Sequence, residues 1–413
     1  MSLVIVNDSL TTSSPPRSVR SINWIGLTLL LLSLLAALPL WTGTGLVNTR
    51  GGGDSPFLFF RLQQLVTNLH DGVFPARWMP DAAYGLGYPF FNYYASLPYY
   101  FASIFNLLGF DLLISIKIVQ TLGFVLAACG MFRWADRHFN SRWISWLIAI
   151  AYLYAPFHFV NVYVRGDSLS EFYAFVFYPL ILISIDRVVE SPRSFHWLAL
   201  AYGGLILTHN VSALIFAPFA LVYAAIRIPH SAIKKSIMAL TLGFLLAFAL
   251  SAWFWLPALG ESNLAQLDAQ TTGYFNYAEH FRTIDLVQAS IGFDYSIATA
   301  PGSNTPFAMG LVQALVTLLG LIALVVTWRR DQNKSLRVFA LIGLGLSTLM
   351  LTPLSRMVWD HLPLLPFAQF PWRFLSIQAL FTSLIIGYAV SIIPARRWVF
   401  VIFNLLVGSI LVA

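Results

Sequence analysis

An aspartate that follows three glycines is the first candidate for chemistry in this sequence. Gly51–Gly53 precede Asp54, and Ser55-Pro56 then opens a helical pattern. Because glycine adopts positive φ angles at little cost, the chain can turn sharply here and present the carboxylate. An ionised aspartate could accept a hydroxyl proton or bind a divalent cation. Asp54 could instead cap the helix, but Ser55 can do that alone, and we therefore favour a functional role.

A second charged group stands where the fourth apolar stretch begins. The run from Arg165 through Gly166 and Asp167 to Glu171 carries three charges. Ser168 and Glu171 have the spacing of a capping box, which would give Glu171 a purely structural role. That spacing leaves Arg165 and Asp167 unexplained. Because each charge costs on the order of 3 kcal/mol to carry into a membrane, the run indicates a polar recess.

Two further motifs carry groups suited to an anion. His209 and Asn210 lie at a tight turn between apolar stretches, where they could satisfy backbone groups or donate a hydrogen bond to phosphate. Arg373 follows Phe370-Pro371-Trp372 at the start of another apolar stretch. Trp372 and Arg373 could simply anchor that helix at the level of the lipid headgroups. A guanidinium is, however, the side chain best shaped for bidentate contact with phosphate.

The apolar composition predicts that membrane-spanning helices position these groups. The chain of 413 residues is 58% hydrophobic and 10% charged, with a mean hydropathy of +0.74, unlike a soluble domain. We predict an all-α polytopic membrane protein of eleven transmembrane helices. The single cysteine, Cys129, excludes an intrachain disulfide, and the nucleotide-binding and zinc motifs of soluble enzymes are absent. The predicted spans cover residues 24–41, 112–132, 143–159, 169–185, 197–208, 211–226, 237–256, 307–328, 338–354, 374–393 and 398–413.

Basic residues in the loops determine the predicted orientation. Most of them fall in cytoplasmic segments if the N-terminus is inside, as the positive-inside rule requires. If the aromatic stretch Tyr88–Phe105 crossed the membrane, the arginines after residue 132 would fall on the outer side. We therefore predict that this stretch forms interfacial helices. The outer face then carries loops 42–111 and 257–305. We expect residues 1–21 to be a disordered cytoplasmic tail and residues 22–413 to be a single transmembrane domain.

Six short motifs are spread along the chain. They are Gly52-Gly53-Asp54, Tyr88-Pro89-Phe90-Phe91, Tyr163-Val164-Arg165-Gly166 with Glu171, Thr208-His209-Asn210, Trp255-Leu256-Pro257 with Glu261, and Phe370-Pro371-Trp372-Arg373. Together these motifs resemble the GT-C superfamily of integral-membrane glycosyltransferases, and the resemblance is greatest to a branch of prokaryotic membrane proteins labelled as related to pyruvoyl-tetrahydropterin synthase. The interval between Arg165-Gly166 and the following acid is longer here than in the pattern of that family, so either Asp167 or Glu171 could be the equivalent acid.

The resemblance implies a GT-C-like fold, a sugar donor linked to a polyprenyl phosphate, and an active site at the outer surface of a bacterial or archaeal plasma membrane. It implies that Asp54 is a general base or metal ligand and that Glu171 or Asp167 is the second acid. The sugar would then move to an acceptor hydroxyl by direct displacement with inversion. The residues implied to bind the donor phosphate are Arg373, Arg165 and His209.

The same resemblance leaves the cofactor and the acceptor open. A divalent cation, Mg²⁺ or Mn²⁺, held by Asp54 and Glu171 is compatible with such a site and is not required by it. The acceptor could be a glycan, a lipid or a protein, and nucleic acid is not expected as a partner. The residues expected to line the substrate site are Tyr93, Tyr94, Trp372, Glu261 and His280.

Two other functions compete with glycosyl transfer. A lipid or glycolipid flippase or transporter would also use charges within the membrane. Such folds often show inverted repeats and interrupted helices in matching halves, and we find neither pattern in the sequence. A non-catalytic assembly subunit that kept the fold is the third possibility, and in that case Asp54 would be dispensable.

Overall fold

A computed structural model describes residues 19–46, 55–166, 168–283, 285–292, 307–329 and 333–391. Two candidate residues, Asp54 and Asp167, lie outside these ranges. So do most of the predicted tail 1–21, the last predicted span 398–413 and the end of the predicted loop 257–305. Within the described ranges the chain is helical and forms no named strand, only the isolated bridges Met79–Tyr88 and Val287–Met309.

The helices vary in length from single turns to 25 residues. Short 3₁₀ turns connect several of them. In chain order, the described α-helices are α1 (Val19–Trp41), α2 (Ser55–His70), α3 (Ala82–Gly85), α4 (Phe90–Tyr93), α5 (Leu97–Leu107), α6 (Leu112–Asp136), α7 (Arg142–Leu153), α8 (Pro156–Phe159), α9 (Leu169–Glu190), α10 (Phe195–Thr208), α11 (Asn210–Arg227), α12 (Ile233–Leu250), α13 (Ala252–Gly260), α14 (Leu311–Val326), α15 (Lys334–Leu349), α16 (Arg356–His361) and α17 (Leu375–Ser391).

Six of the described helices are long and apolar enough to cross a membrane, and the number is eight if each of two bent pairs is one span. One pair joins α7 to α8 with a 42° bend, and the other joins α15 to α16 with a 95° bend. Ten of the eleven predicted spans coincide with described helices, although α10 and α14 are shorter than a usual span. The prediction of an all-α polytopic bundle is confirmed.

The aromatic stretch after Tyr88 is broken into helices that are too short to cross. Helix α4 has 4 residues and α5 has 11. At 1.5 Å per residue even α5 is only about 17 Å long, against about 30 Å of hydrocarbon. This agrees with the prediction that the stretch does not span the membrane.

Helices α9 and α17 form the centre of the bundle. Helix α9 packs against α6, α10 and α11, while α17 packs against α14, α15 and α7. Almost every residue of α17 is buried. Each of these helices begins beside a candidate residue, because Glu171 lies in the first turn of α9 and Arg373 lies in the 3₁₀ turn before α17. Two rigid central elements therefore position the charges that the sequence singled out.

The opposite end of α9 carries a second buried carboxylate, Asp186, about 22 Å from Glu171 along the helix. Its two oxygens lie 3.0 Å from the His138 ring, 2.8 Å from the Tyr223 hydroxyl and 2.8 Å from Nε of Arg227. His138 follows the end of α6, and Tyr223 and Arg227 lie on α11. A buried carboxylate with this many donors joins the three helices at the end of the bundle remote from Glu171.

Close packing of α14 against α17 predicts the effect of a small substitution. A Cβ atom at Gly320 would lie 2.3 Å from the backbone oxygen of Ile385, which cannot move without displacing α17. We expect Gly320→Ala to lower the free energy of unfolding by about 1–3 kcal/mol. The matched control is Gly345→Ala on α15, where nothing lies within 4 Å of the new Cβ. Thermal unfolding in detergent should show a lower Tm for the first variant alone, and equal Tm values would contradict this packing.

Candidate active site

Glu171 is the buried acid at the centre of the candidate site. Its side chain is only 2% exposed, and Oε2 accepts a hydrogen bond of 2.6 Å from Nη1 of Arg165. The Nε atom of Arg373 lies 3.7 Å from the same oxygen. Ser168, at the N-cap of α9, makes no side-chain cap bond, so the capping box does not form. The carboxylate therefore contacts two guanidinium groups and does not cap the helix.

Arg165 is positioned by an irregular piece of backbone. Residues Val160–Val164 form a π-helical turn, and the backbone N–H of Arg165 donates to the oxygen of Val160 across 2.9 Å. Such turns are frequent at functional sites. Gly166 then reverses the chain with a φ of +70°, a value that glycine adopts easily. The Arg165 side chain consequently points back to the first turn of α9.

The Arg165 guanidinium is fixed by two further contacts. Its Nη1 also donates to Oδ1 of Asn161 across 2.7 Å, and its Cζ lies 4.7 Å from the ring centroid of Trp372. Asn161 is itself buried and donates to the backbone oxygen of Phe157. The amide is thus oriented with its oxygen toward Arg165. Sequence reasoning overlooked Asn161, although a polar residue four positions before Arg165 in an apolar stretch was a usable signal.

Arg373 comes from the other central helix, about 200 residues later in the sequence. It lies in the 3₁₀ turn Pro371–Phe374, with Cζ 5.6 Å from the ring of Phe370. Gln369 precedes this turn with a φ of +62°, an uncommon value for a residue with a side chain. The 3₁₀ turn that follows places Nε of Arg373 3.7 Å from Oε2 of Glu171. The structure brings Arg165, Glu171 and Arg373 together in one place.

His209 adds a neutral group beside the two arginines. It is the N-cap of α11, and its Nδ1 accepts the backbone N–H of Ser212. The ring is 5% exposed. Burial lowers the pKa of His209 to about 3, although the negative charge of Glu171 acts in the opposite direction. At neutral pH the ring is therefore uncharged, and with Nδ1 as acceptor its proton is on Nε2.

A cavity of about 2170 Å³ opens in front of these groups. Arg165, His209 and Arg373 line it, whereas Glu171 lies behind the two arginines. One wall is apolar and comes from α10, α11 and α12. Its side chains include Ile206, Val211, Leu214, Ala217 and Phe248. The same cavity is therefore lined by the two arginines with His209 and by an apolar wall.

Four of the five residues expected to line a substrate site do line this cavity. They are Tyr93, Tyr94, Trp372 and His280. The carboxylate of Glu261 instead pairs with Arg77 and accepts from Nδ2 of Asn92 at 3.1 Å. The Tyr93 hydroxyl donates to the backbone oxygen of Glu261 across 2.7 Å. Glu261 therefore connects the end of α13 to the aromatic stretch.

Asp54 and Asp167 lie outside the described ranges, but a residue next to each of them is described. Ser55 follows Asp54, and Gly166 precedes Asp167. These two neighbours line the same small cavity, together with Gln120 of α6. Ser55, at the start of α2, therefore lies near Gly166, the residue that follows Arg165.

The described residues do not form a metal site by themselves. No group of three or more His, Cys, Asp or Glu side chains among them could hold an ion. The Oε1 atom of Glu171 is buried without a hydrogen-bond partner, but Oε2 is bound to Arg165 and two guanidinium groups stand beside the carboxylate. The positive charge of these guanidinium groups disfavours the binding of a metal ion to the same carboxylate.

Three comparisons relate the chain to known proteins. A family model described as "6-pyruvoyl-tetrahydropterin synthase related domain; membrane protein" matches residues 91–413. An uncharacterized protein of Lactococcus lactis subsp. cremoris (strain MG1363) is 25% identical over 269 residues, which are 62% of this chain. The chain spans only 43% of the length of that relative.

A solved structure shares the fold. It is the archaeal oligosaccharyltransferase AglB from Archaeoglobus fulgidus, in complex with an inhibitory peptide and a dolichol-phosphate. The TM-score is 0.50 at 13% identity, over 96% of this chain and 56% of that one. The predicted GT-C-like fold is confirmed, and at this identity the likeness concerns the fold alone.

The burial of His209 predicts a pH dependence of stability. Between pH 7 and pH 5 an unfolded histidine takes up a proton, since its ordinary pKa is about 6.5, while folded His209 stays neutral down to about pH 3. Stability should therefore fall on acidification, and His209 should contribute about 2 kcal/mol of that fall by pH 5. Thermal unfolding of wild type and His209→Asn at both pH values measures it. His361→Asn, at an exposed histidine of α16, is the control, and an unchanged pH dependence in His209→Asn would contradict the assignment.

Proposed function

This chain belongs to the 6-pyruvoyl-tetrahydropterin synthase related family of membrane proteins, and we propose that it is a glycosyltransferase whose sugar donor is linked to a polyprenyl phosphate. The observation that carries the proposal is the pair Arg165 and Arg373, held by Glu171 at the wall of a large cavity. The fold shared with an oligosaccharyltransferase solved with a dolichol-phosphate supports it.

The arginine pair suits a phosphate that becomes a leaving group. Glu171 and Asn161 hold the Arg165 guanidinium before any ligand arrives, and Glu171 also approaches Arg373. Donors that are already oriented stabilise developing charge without further reorganisation. Glu171 acts in this proposal as a positioning residue for the arginines. His209 would add one Nε2–H donor to the same phosphate.

The apolar wall favours a lipid-linked donor over a soluble one. Side chains from α10, α11 and α12 line the cavity next to the cationic end. A prenyl chain can contact such a wall, whereas a nucleotide would leave its polar groups unpaired there. We place this end of the bundle at the outer membrane face, in line with the loop charges. The acceptor brings a hydroxyl group to the same cavity.

In the reaction, Asp54 acts as the general base. The acceptor oxygen attacks the anomeric carbon, and its proton moves to the Asp54 carboxylate. The bond from that carbon to the phosphate oxygen breaks with inversion, and the bonding electrons leave with the polyprenyl phosphate. Arg165, Arg373 and His209 stabilise the charge that grows on this phosphate. Ser55, the residue after Asp54, lines the same small cavity as Gly166, and this supports a role for Asp54 in the reaction.

Donor binding can be tested without knowing the sugar. Undecaprenyl phosphate and undecaprenol are compared as ligands of the full chain in lipid nanodiscs. Arg373→Gln should weaken undecaprenyl phosphate binding by about 10- to 100-fold, because a charge-assisted hydrogen bond is worth about 1.5–3 kcal/mol. Undecaprenol should bind equally to both proteins. Arg356→Gln, which removes an exposed arginine paired with Asp360 on α16, is the matched control and should match wild type. Equal phosphate binding by all three proteins would refute the phosphate site.

Turnover tests the general base. Proteoliposomes receive a panel of undecaprenyl-phosphate monosaccharides and a membrane extract as the source of acceptor, and the release of undecaprenyl phosphate is measured. Asp54→Asn should reduce release by about 100-fold or more while undecaprenyl phosphate still binds, since loss of a general base removes about 10²–10⁴ in rate. Equal release by wild type and Asp54→Asn would remove Asp54 from the mechanism.

A further inference from the structure

A buried histidine on the cavity wall has a ring nitrogen that plays no part in the proposed phosphate site. His280 ends the 3₁₀ turn Tyr277–His280, lines the cavity and is only 8% exposed. Its Nε2 atom lies 2.6 Å from the backbone oxygen of Tyr274. Because a carbonyl oxygen can only accept, Nε2 carries the proton of the neutral ring and Nδ1 carries the lone pair. A contact within the loop therefore fixes the tautomer.

The Nδ1 atom of His280 is the part of the ring that a ligand can reach. Among the residues that the structure describes it has no hydrogen-bond partner, and it is not sealed off from the cavity that the ring lines. A polar atom on a largely buried ring is disfavoured while it has no partner, and a ligand hydroxyl that donates to it removes that cost. His280 thus presents a hydrogen-bond acceptor at a fixed position in the wall.

Tyr274 places an open aromatic ring next to this acceptor. It lines the cavity and is 73% exposed. Its ring centroid lies 5.3 Å from that of His280 and 5.9 Å from that of Phe370, both in edge-to-face contact. Tyrosine combines a large apolar face with a polar hydroxyl, which matches the apolar CH face and the hydroxyl rim of a pyranose ring. A tyrosine that two rings hold in place can therefore carry a sugar ring.

Two carboxylates on the same segment determine which charge the wall accepts. Asp268 and Glu279 both line the cavity, and both are exposed. Ionised carboxylates accept hydrogen bonds from hydroxyl groups and repel another carboxylate or a phosphate. The wall formed by residues 262–280 therefore favours an uncharged ligand rich in hydroxyl groups, whereas the arginines suit a phosphate.

Gln369 connects this wall to the phosphate site. Its Nε2 donates to the backbone oxygen of Gln270 across 3.1 Å, and its Oε1 lies 3.4 Å from Nη2 of Arg373. The ring of Phe370 also lies between the two, with its centroid 4.8 Å from that of His280 and 5.6 Å from Cζ of Arg373. A sugar held on this wall would therefore lie beside the donor phosphate.

We propose that Tyr274 and His280 form a subsite for an uncharged sugar, and that this sugar belongs to the acceptor. The sugar ring packs on Tyr274, one hydroxyl donates to Nδ1 of His280, and further hydroxyls donate to Glu279 or Asp268. The inference rests on the proposed function in that it assigns the acceptor of that reaction to the carbohydrates. The subsite itself is defined by residues 262–280 and does not depend on the donor.

Binding of simple glycosides tests the subsite. Saturation-transfer NMR on the full chain in nanodiscs compares methyl glucoside, methyl mannoside and methyl glucuronide as probes. At least one of the two uncharged probes should bind wild type saturably, and Tyr274→Ala should weaken that binding about tenfold. Tyr274→Phe should retain most of it, because the ring remains. The glucuronide should show no binding that depends on Tyr274, since Asp268 and Glu279 repel its carboxylate.

His280→Gln separates the ligand contact from the loop contact. The glutamine amide can still donate to the backbone oxygen of Tyr274, but it offers no acceptor at the position of Nδ1. We expect this variant to bind the uncharged probe about 2- to 10-fold more weakly, with an unchanged Tm. Tyr84→Ala is the matched control for Tyr274→Ala, because Tyr84 is fully exposed and does not line the cavity, and it should bind like wild type.

Three outcomes would overturn the inference. The first is the absence of saturable binding of either uncharged probe to wild type. The second is equal binding of these probes by wild type, His280→Gln and Tyr274→Ala. The third is binding of the glucuronide that exceeds that of both uncharged probes and is lost in Tyr274→Ala. Failure of undecaprenyl phosphate to bind wild type would refute the proposed function and leave the result for this subsite standing.

Discussion

The ion pair between Glu171 and Arg165, with Arg373 beside it, is the interaction on which the functional architecture depends. A carboxylate that is only 2% exposed is stable as an ion only with close cationic partners. Each partner belongs to a different part of the fold, one following the π-helical turn and the other preceding α17. The Glu171 carboxylate therefore connects the start of α9 to the turn before α17. It also holds the two guanidinium groups at a cavity wall.

Helix α9 has a buried carboxylate at each end and an apolar middle. Asp186 binds His138, Tyr223 and Arg227 at one end, in contacts that leave its carboxylate well supplied with donors. Glu171 binds groups that line an open cavity at the other end. The same physical requirement, compensation of a buried charge, thus gives a structural joint at one end of the helix and a ligand-accessible site at the other.

Polar contacts connect the segments that surround the cavity. Glu261 pairs with Arg77, Tyr277 donates to Asp360, and Nε2 of Gln369 donates to the backbone oxygen of Gln270 across 3.1 Å. The segment from Ser262 to His280 consists of 3₁₀ turns rather than long helices. A wall assembled in this way differs from the central bundle, where buried apolar side chains hold α9 and α17.

By itself, the sequence determined the membrane class, the positions of ten apolar stretches that the structure shows as helices, and that the aromatic stretch forms no helix long enough to cross, because hydropathy and loop charge are local properties of the chain. It also indicated Arg165 and Glu171 as charges too costly to leave unpaired in a membrane, and His209 and Arg373 as groups that could bind an anion. Only the tertiary structure decided that Glu171 pairs with Arg165 instead of capping α9, that Glu261 pairs with Arg77, and that Asn161 orients Arg165. The contacts of Arg165 with Asn161 and Glu171 are close in sequence and depend on the π-helical turn and on Gly166, which no simple pattern encodes. The Arg77–Glu261 pair and the approach of Arg373 to Glu171 join residues about 200 positions apart, and they depend on which helices lie side by side.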